Sequence, residues 1–203
     1  VSTHFANMLA LFKQQPLSTQ WSYGTIADGI AVKTPSHVMY ENFIAKYVDD
    51  IVAVDDDEVA KAIVFLLERT KSVAEGAGAI TLAAAALAKK NNWQLGKKTC
   101  VAICGGNIDM NMVAKVIEKG LTASGRTARL RITASDRPGQ LQKITNVIAE
   151  HGGNILEVYH DRVGRGIRFS ETVVLIVVET KGFDQVKEIQ HSLQSLSLKV
   201  EID

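Results

Sequence analysis

The residues best suited to chemistry lie in three short runs. Cys104-Gly105-Gly106-Asn107 follows the apolar run Thr99–Cys104 and precedes Ile108-Asp109 and a helical pattern. Such a strand-to-helix turn stands at the carboxyl end of a parallel strand, where open α/β sheets bind ligands. Its two glycines let backbone approach a planar or anionic group closely; a tight turn without a ligand has the same sequence. Glu75-Gly76-Ala77-Gly78-Ala79 sets a carboxylate and two glycines at a helix entrance, which helix capping also explains. Thr25-Ile-Ala-Asp-Gly-Ile-Ala31 carries an Asp-Gly turn, and Asp55–Asp57 reads as a solvated helix start. The five histidines (His4, His37, His151, His160 and His191) show no metal-ligand spacing. No Gly-x-Ser-x-Gly, Walker or Gly-x-Gly-x-x-Gly pattern is present.

The elements that must position these runs change character near Gly125. Before it, helices and short apolar strands alternate. His4–Lys13 and Ser36–Tyr47 read as helices, Thr19–Pro35 as loop, and Ile51–Val54 as a buried strand. Asp55 with Glu58 resembles a helix cap, and Val59, Ala62, Ile63, Leu66 and Leu67 mark one apolar face. Val73–Ala79 reads as a turn, Ile80–Asn91 as helix, Thr99–Cys104 as a second buried strand and Met110–Ala123 as helix. This order predicts a parallel α/β layer. After it, Leu130, Ile132 and Ala134 alternate with polar residues as a strand, and Leu141, Ile144, Val147 and Ile148 form a helical stripe. Asn154–Val163 and Glu171–Glu179 read as a long hairpin. Phe183, Val186, Ile189, Leu193 and Leu196 give a second helix, and Leu198, Val200 and Ile202 a last strand. The order β-α-β-β-α-β is the split ferredoxin-like unit.

The 203 residues fit one large or two small domains, and the boundary falls within Ala123–Thr127. Through Gly125 there are twelve basic and twelve acidic residues, and beyond it eleven and ten. Neither part has the basic excess that binding a phosphate backbone requires, so no nucleic-acid partner is expected. The strand Val173–Val178 also lacks the stacking aromatics of an RNA-recognition sheet. The longest apolar stretch, Ala79–Ala88, is well short of the ~20 residues that span a membrane. No signal-peptide pattern opens the chain. Cys100 and Cys104, four strand residues apart, would lie roughly 13 Å from one another, too far to bridge. A reducing, cytoplasmic setting is the expectation.

Taken in order, Thr25–Val32, Tyr47–Val52, Val73–Ala79 and Cys104-Gly-Gly-Asn-Ile-Asp109 closely resemble the threonine ammonia-lyases (threonine dehydratases), fold-type II pyridoxal-phosphate enzymes related to serine racemase. Arg129–Asp203, with Asp136-Arg-Pro-Gly-Gln-Leu141 and Gly152-Gly-Asn-Ile155, resembles an ACT domain. The resemblance implies an α/β architecture. Residues 1–124 would be the C-terminal part of a fold-type II, parallel-sheet catalytic domain, and 127–203 a ferredoxin-like βαββαβ ACT regulatory domain. It implies pyridoxal 5'-phosphate as cofactor and β-elimination of L-threonine, also L-serine, to 2-oxobutanoate and ammonia. By the same resemblance Cys104 stands beside the pyridine nitrogen, Glu75 lies close to the cofactor, and Gly105, Gly106 and Asn107 shape the floor beneath it. A thiol leaves the ring nitrogen largely unprotonated, which favours loss of hydroxide over a long-lived carbanion. The family's Schiff-base lysine motif, Ser-x-Lys-x-Arg-Gly, and its run of four phosphate-binding glycines are not found in this sequence. The expectation is that both lie upstream and that the 203-residue chain alone is inactive without that N-terminal part.

In the ACT-like part, Asp136-Arg137-Pro138-Gly139 turns into a helix beginning at Gln140-Leu141, with Pro138 near its first position. Free N–H groups at that helix start suit an amino-acid carboxylate, and Asn154-Ile155, across the adjacent loop, would hold the ammonium or a carboxylate. Edge-to-edge pairing of two such sheets in a homo-oligomer would create a shared effector site, with isoleucine or another branched-chain amino acid as the first candidate. Arg165 and Arg168 read as solvated. The alternative function is an amino-acid-binding and dimerisation module without catalysis. Residues 1–123 produced alone should rearrange, recruit a partner chain or precipitate, because the apolar faces of Ile51–Val54 and Thr99–Cys104 would be uncovered. A stable, compact monomer in size-exclusion chromatography would count against this.

Overall fold

A computed structural model describes residues 1–21, 24–88 and 90–202. The loop over Thr19–Pro35 includes positions 22 and 23, and the expected helix to Asn91 includes position 89; these lie outside the described residues, as does the final residue of the ACT-like stretch. The chain divides into two compact units, Val1–Ala123 and Ser124–Asp203.

The long helices among the described residues of the first unit are α1 (Asp56–Arg69), α2 (Gly76–Ala88) and α3 (Met110–Ala123). Asp55 caps α1 by accepting the Asp57 N–H at 3.0 Å, and acidic residues fill the first turn, where the helix dipole favours them. The face expected from periodicity is the one buried: Val59, Ala62, Ile63 and Leu66 pack with Val54, Ala79, Ala83 and Val116, and Leu67 borders them. Gly120 lets α3 close on α1, since a Cβ there would lie 2.6 Å from the Val64 side chain. The helical stretch over Ser36–Tyr47 is wound as a π-helix across Tyr40–Ile44. His4–Lys13 resolves into a 3-10 turn, Thr3–Phe5, and a short helix, Asn7–Phe12.

Three expectations are corrected here. Ile51–Val54 and Thr99–Cys104 are not ladder strands among the described residues: the first makes one parallel bridge, Ser2 to Val54, and the second makes none. Only Val54 of the two segments is buried. Apolar sequence favours extension, but a strand exists only where a neighbour satisfies its N–H and C=O rows. Second, α2 begins at Gly76, so Gly76–Ala79 are helix rather than turn. Third, Asp56 is not simply solvated. It accepts the Thr25 hydroxyl at 2.5 Å and the Ile26 N–H at 3.0 Å.

The second unit has the predicted β-α-β-β-α-β order: β1 (Thr127–Ser135), α4 (Gln140–Glu150), β2 (Asn154–Asp161), β3 (Glu171–Glu179), α5 (Phe183–Ser195) and β4 (Lys199–Ile202). The sheet is antiparallel in the order β2-β3-β1-β4. Leu130, Ile132, Val174, Ile176 and Val178 of its inner face meet Ile144, Ile148, Val186, Ile189 and Leu193 of the helices. Phe183 and Leu196, expected on the α5 stripe, lie at its ends and are exposed. Leu130→Ala, at a fully buried site in the central strand, should cost about 2–5 kcal/mol. Urea unfolding followed by circular dichroism measures it, and a loss below ~1 kcal/mol would mean the site is not packed.

Candidate functional site

The first unit brings Glu75 and Cys104–Gly106 together around the N-terminal turn of α2. Glycine makes this possible. A Cβ on Gly76 would overlap the Ile26 carbonyl oxygen, and one on Gly78 the Cys104 carbonyl oxygen, so two loops rest directly on helix backbone. The Glu75 N–H donates to the Gly105 carbonyl at 3.3 Å. Thr81 donates its hydroxyl to the Ala102 carbonyl at 2.6 Å. Gly105 has a left-handed φ of +84°, and a Cβ there would overlap the Glu75 carboxylate. Glu75 is half-buried at the positive end of the α2 dipole. Asn107 is exposed, and Asp109 opens α3 by accepting the Asn111 N–H at 2.6 Å.

Cys104 is exposed, not the interior thiol that a buried strand would make it, and Cys100 is likewise free and exposed. The Thr25–Ala31 loop belongs to the same assembly. Asp56 holds Thr25, whose hydroxyl oxygen accepts the Ala27 N–H at 3.2 Å and the Ser2 hydroxyl at 3.0 Å, and Ala27 is fully buried beneath it. Sequence reasoning missed the Thr25–Asp56 tie. An Asp directly after a cap residue, aimed at a Thr-x-Ala loop, was its only signal.

In the second unit, the Asp136–Leu141 turn, with His160, Arg162, Thr172 and Val174, lines a cavity of about 270 Å³. Asp136 donates its backbone N–H to Ser170 at 3.0 Å, and Arg162 grips its carboxylate through Nε at 3.0 Å and an Nη at 2.7 Å. The helix starts at Gln140, so Pro138 stands in the turn and Gly139, at φ +85°, occupies the cap position. Asn154 is elsewhere: it pairs with Glu179 in the register and donates to the Glu179 carboxylate at 3.0 Å. It starts β2, whereas His160 and Arg162 stand at its other end, roughly 20 Å away. One chain therefore does not join Asn154-Ile155 to the Asp136–Leu141 turn. Arg162 was missed because only the strand order reveals what it faces.

A larger groove of about 880 Å³ lies over the open sheet face, and several of its charges are paired with one another. Lys199 sits 2.6 Å from Glu201, and Arg131 3.8 Å from it; the Lys199 hydrogen bond and charge hold the Glu201 carboxyl below its usual range. Arg168 is exposed, 3.6 Å from Glu171. No metal-holding cluster occurs among the described residues, and no helix of theirs is long and apolar enough to cross a membrane.

The Glu75–Gly105 contact is testable as a coupling. Gly105→Ala should cost about 1–2 kcal/mol for the left-handed backbone and about 1–3 kcal/mol for the overlap. Glu75→Ala in the same chain should restore only the second part, as read from urea unfolding of all four proteins. Strict additivity would mean the two residues do not touch.

Residues 1–105 match the family model "Pyridoxal-phosphate dependent enzyme", and residues 128–194 the model "ACT domain". An L-threonine ammonia-lyase of Thermotoga maritima is 42% identical over 88% of this chain and 43% of its own length. An L-threonine ammonia-lyase of Geobacter sulfurreducens is 39% identical over 99% of this chain and 48% of its own. The chain thus spans somewhat less than half the length of these relatives. A solved structure of maize serine racemase is similar at 26% identity, with a TM-score of 0.48 over 58% of this chain and 36% of that one. With one family model matched through Cys104-Gly105 and the other across the β-α-β-β-α-β unit, the chain belongs to the pyridoxal-phosphate dependent enzymes and carries an ACT domain.

Proposed function

We propose that this chain is the C-terminal part of the catalytic domain (1–124) and the ACT regulatory domain (127–203) of an L-threonine ammonia-lyase. The enzyme would convert L-threonine, and also L-serine, by β-elimination, L-threonine giving 2-oxobutanoate and ammonia. The observation that carries this is the 39% identity to one such enzyme along 99% of the chain, running through both units.

The residues present fit one wall of a pyridoxal-phosphate site. Cys104 offers an exposed thiol, Gly105 and Gly106 a surface without side chains, and Glu75 a carboxylate held against that surface. Bound there, the cofactor supplies an electron sink for the substrate Cα. The Cys104 Sγ–H, a weak donor, would face the ring nitrogen without transferring its proton. Glu75 would orient the ring's edge, and Asn107 would close the floor. The catalytic lysine and the phosphate loop would come from the N-terminal part of the same protein, in a cytoplasmic setting that two free thiols support.

The regulatory reading includes an oligomer formed through β2, which the exposed edge of that strand favours. β2 is an edge strand that exposes Leu156, Val158 and Tyr159. Antiparallel pairing of two copies of β2 about a two-fold axis would set Asn154 of one copy beside the Asp136–Leu141 turn of the other. The effector would be a branched-chain amino acid, in keeping with a role in isoleucine biosynthesis.

The full-length protein should show the visible absorbance of bound pyridoxal phosphate and release 2-oxobutanoate from L-threonine. Cys104→Asp, which would set a carboxylate where the thiol faces the ring nitrogen, should lower turnover and change that absorbance. Cofactor binding without 2-oxobutanoate formation would sink the reading.

A further inference from the structure

We infer that Arg162 reads the carboxylate of the amino-acid ligand, and that the ligand enters by splitting the Asp136–Arg162 ion pair. This rests on the amino-acid-sensing reading of the second unit. The cavity beside the pair has a volume of about 270 Å³, at the lower edge of the ~300–1,000 Å³ of small-molecule pockets. That size suits one amino acid and is too small for a nucleotide. Its wall is apolar where a side chain would lie: Pro138, Leu141 and the fully buried Val174 line it. Thr172 donates its hydroxyl to the Asp161 carbonyl at 2.8 Å, so its oxygen can serve a ligand only as an acceptor.

Its polar end is the ion pair. The Arg162 Nε lies 3.0 Å from both Asp136 carboxylate oxygens, and an Nη 2.7 Å from one of them. An α-amino acid carries the same two charges on one carbon. Inserted between the partners, its ammonium takes the place of Arg162 on Asp136, and its carboxylate takes the place of Asp136 on the guanidinium fork. No charge is left unpaired and the net charge of the site does not change. The exchange costs little, because the Asp136 and Arg162 side chains are 25% and 61% exposed and water already screens their attraction. A ligand lacking either charge would leave one partner without its counter-ion. The pair also ties the turn after β1 to the connection after β2, so splitting it releases one element from the other.

The test is calorimetric titration of the full-length protein with L-isoleucine, L-leucine and L-valine, each against its amide, which keeps the ammonium and removes the carboxylate. The protein should bind at least one of these amino acids about tenfold or more tightly than the corresponding amide. Arg162→Gln should weaken the amino acid by about the same factor and leave the amide unchanged, so the preference disappears. Arg162→Lys, which keeps the charge without the fork, should fall between. Three results overturn the inference. Arg162→Gln retaining the full preference would give the carboxylate to another group. An equal loss for acid and amide would make Arg162 a prop for the cavity. No binding of any of the six compounds to the unaltered protein would remove the amino-acid-sensing reading as well.

Discussion

The arrangement around Cys104 depends on one steric constraint: the first turn of α2 must lie bare against two other backbones. Gly76 meets the Ile26 carbonyl and Gly78 the Cys104 carbonyl at separations that no side chain permits. This contact draws the Thr25–Ala31 loop, the Glu75 carboxylate and the Cys104–Gly106 run into one place, although 80 residues separate the ends of that set. Because both glycines stand in the first turn of α2, where the helix is only beginning, they cost less than they would in the helix interior. Gly105 completes the contact: its left-handed backbone carries no side chain, which leaves room for the Glu75 carboxylate beside it.

The second unit is organised differently. Its sheet and two helices enclose a continuous core in which Leu130, Ile132, Ile144, Ile176, Ile189 and Leu193 are wholly buried. Function there is displaced to the ends and edges of the sheet. The turn after β1 and the end of β2 form the cavity that holds the Asp136–Arg162 pair, while β2 itself presents an unpaired edge. A rigid core with a polar turn at one corner is the usual way to hold two opposite charges in fixed register without burying either.

Much of this was legible beforehand. The α1 face, the α3 limits, the β-α-β-β-α-β order and the pairing of β2 with β3 all follow from the period of apolar residues, since that period is set by backbone geometry alone. The segments Ile51–Val54 and Thr99–Cys104 show where this reasoning stops. Their composition favours an extended chain, yet strand formation is a property of two segments, and periodicity in one does not report the other. The start of α2 was misjudged for a related reason. Glycine usually marks a turn, and only the opposing carbonyls of Ile26 and Cys104 explain why it stands inside a helix.

Residue type and order already contain the chemical inventory and its local settings: a thiol followed by two glycines, a carboxylate at a helix entrance, an Asp-Arg-Pro-Gly turn, and two regions of different period. These are local properties, encoded by residue type and near-neighbour spacing. Which of them meet is a matter of how the chain packs. Packing brought Glu75 onto Gly105, tied Thr25 to Asp56, set Arg162 against Asp136, and separated Asn154 from the turn it was expected to join. Such pairings depend on strand order, helix crossing and the close approach of backbones, which arise from packing the whole unit and leave no mark in the spacing of the residues concerned.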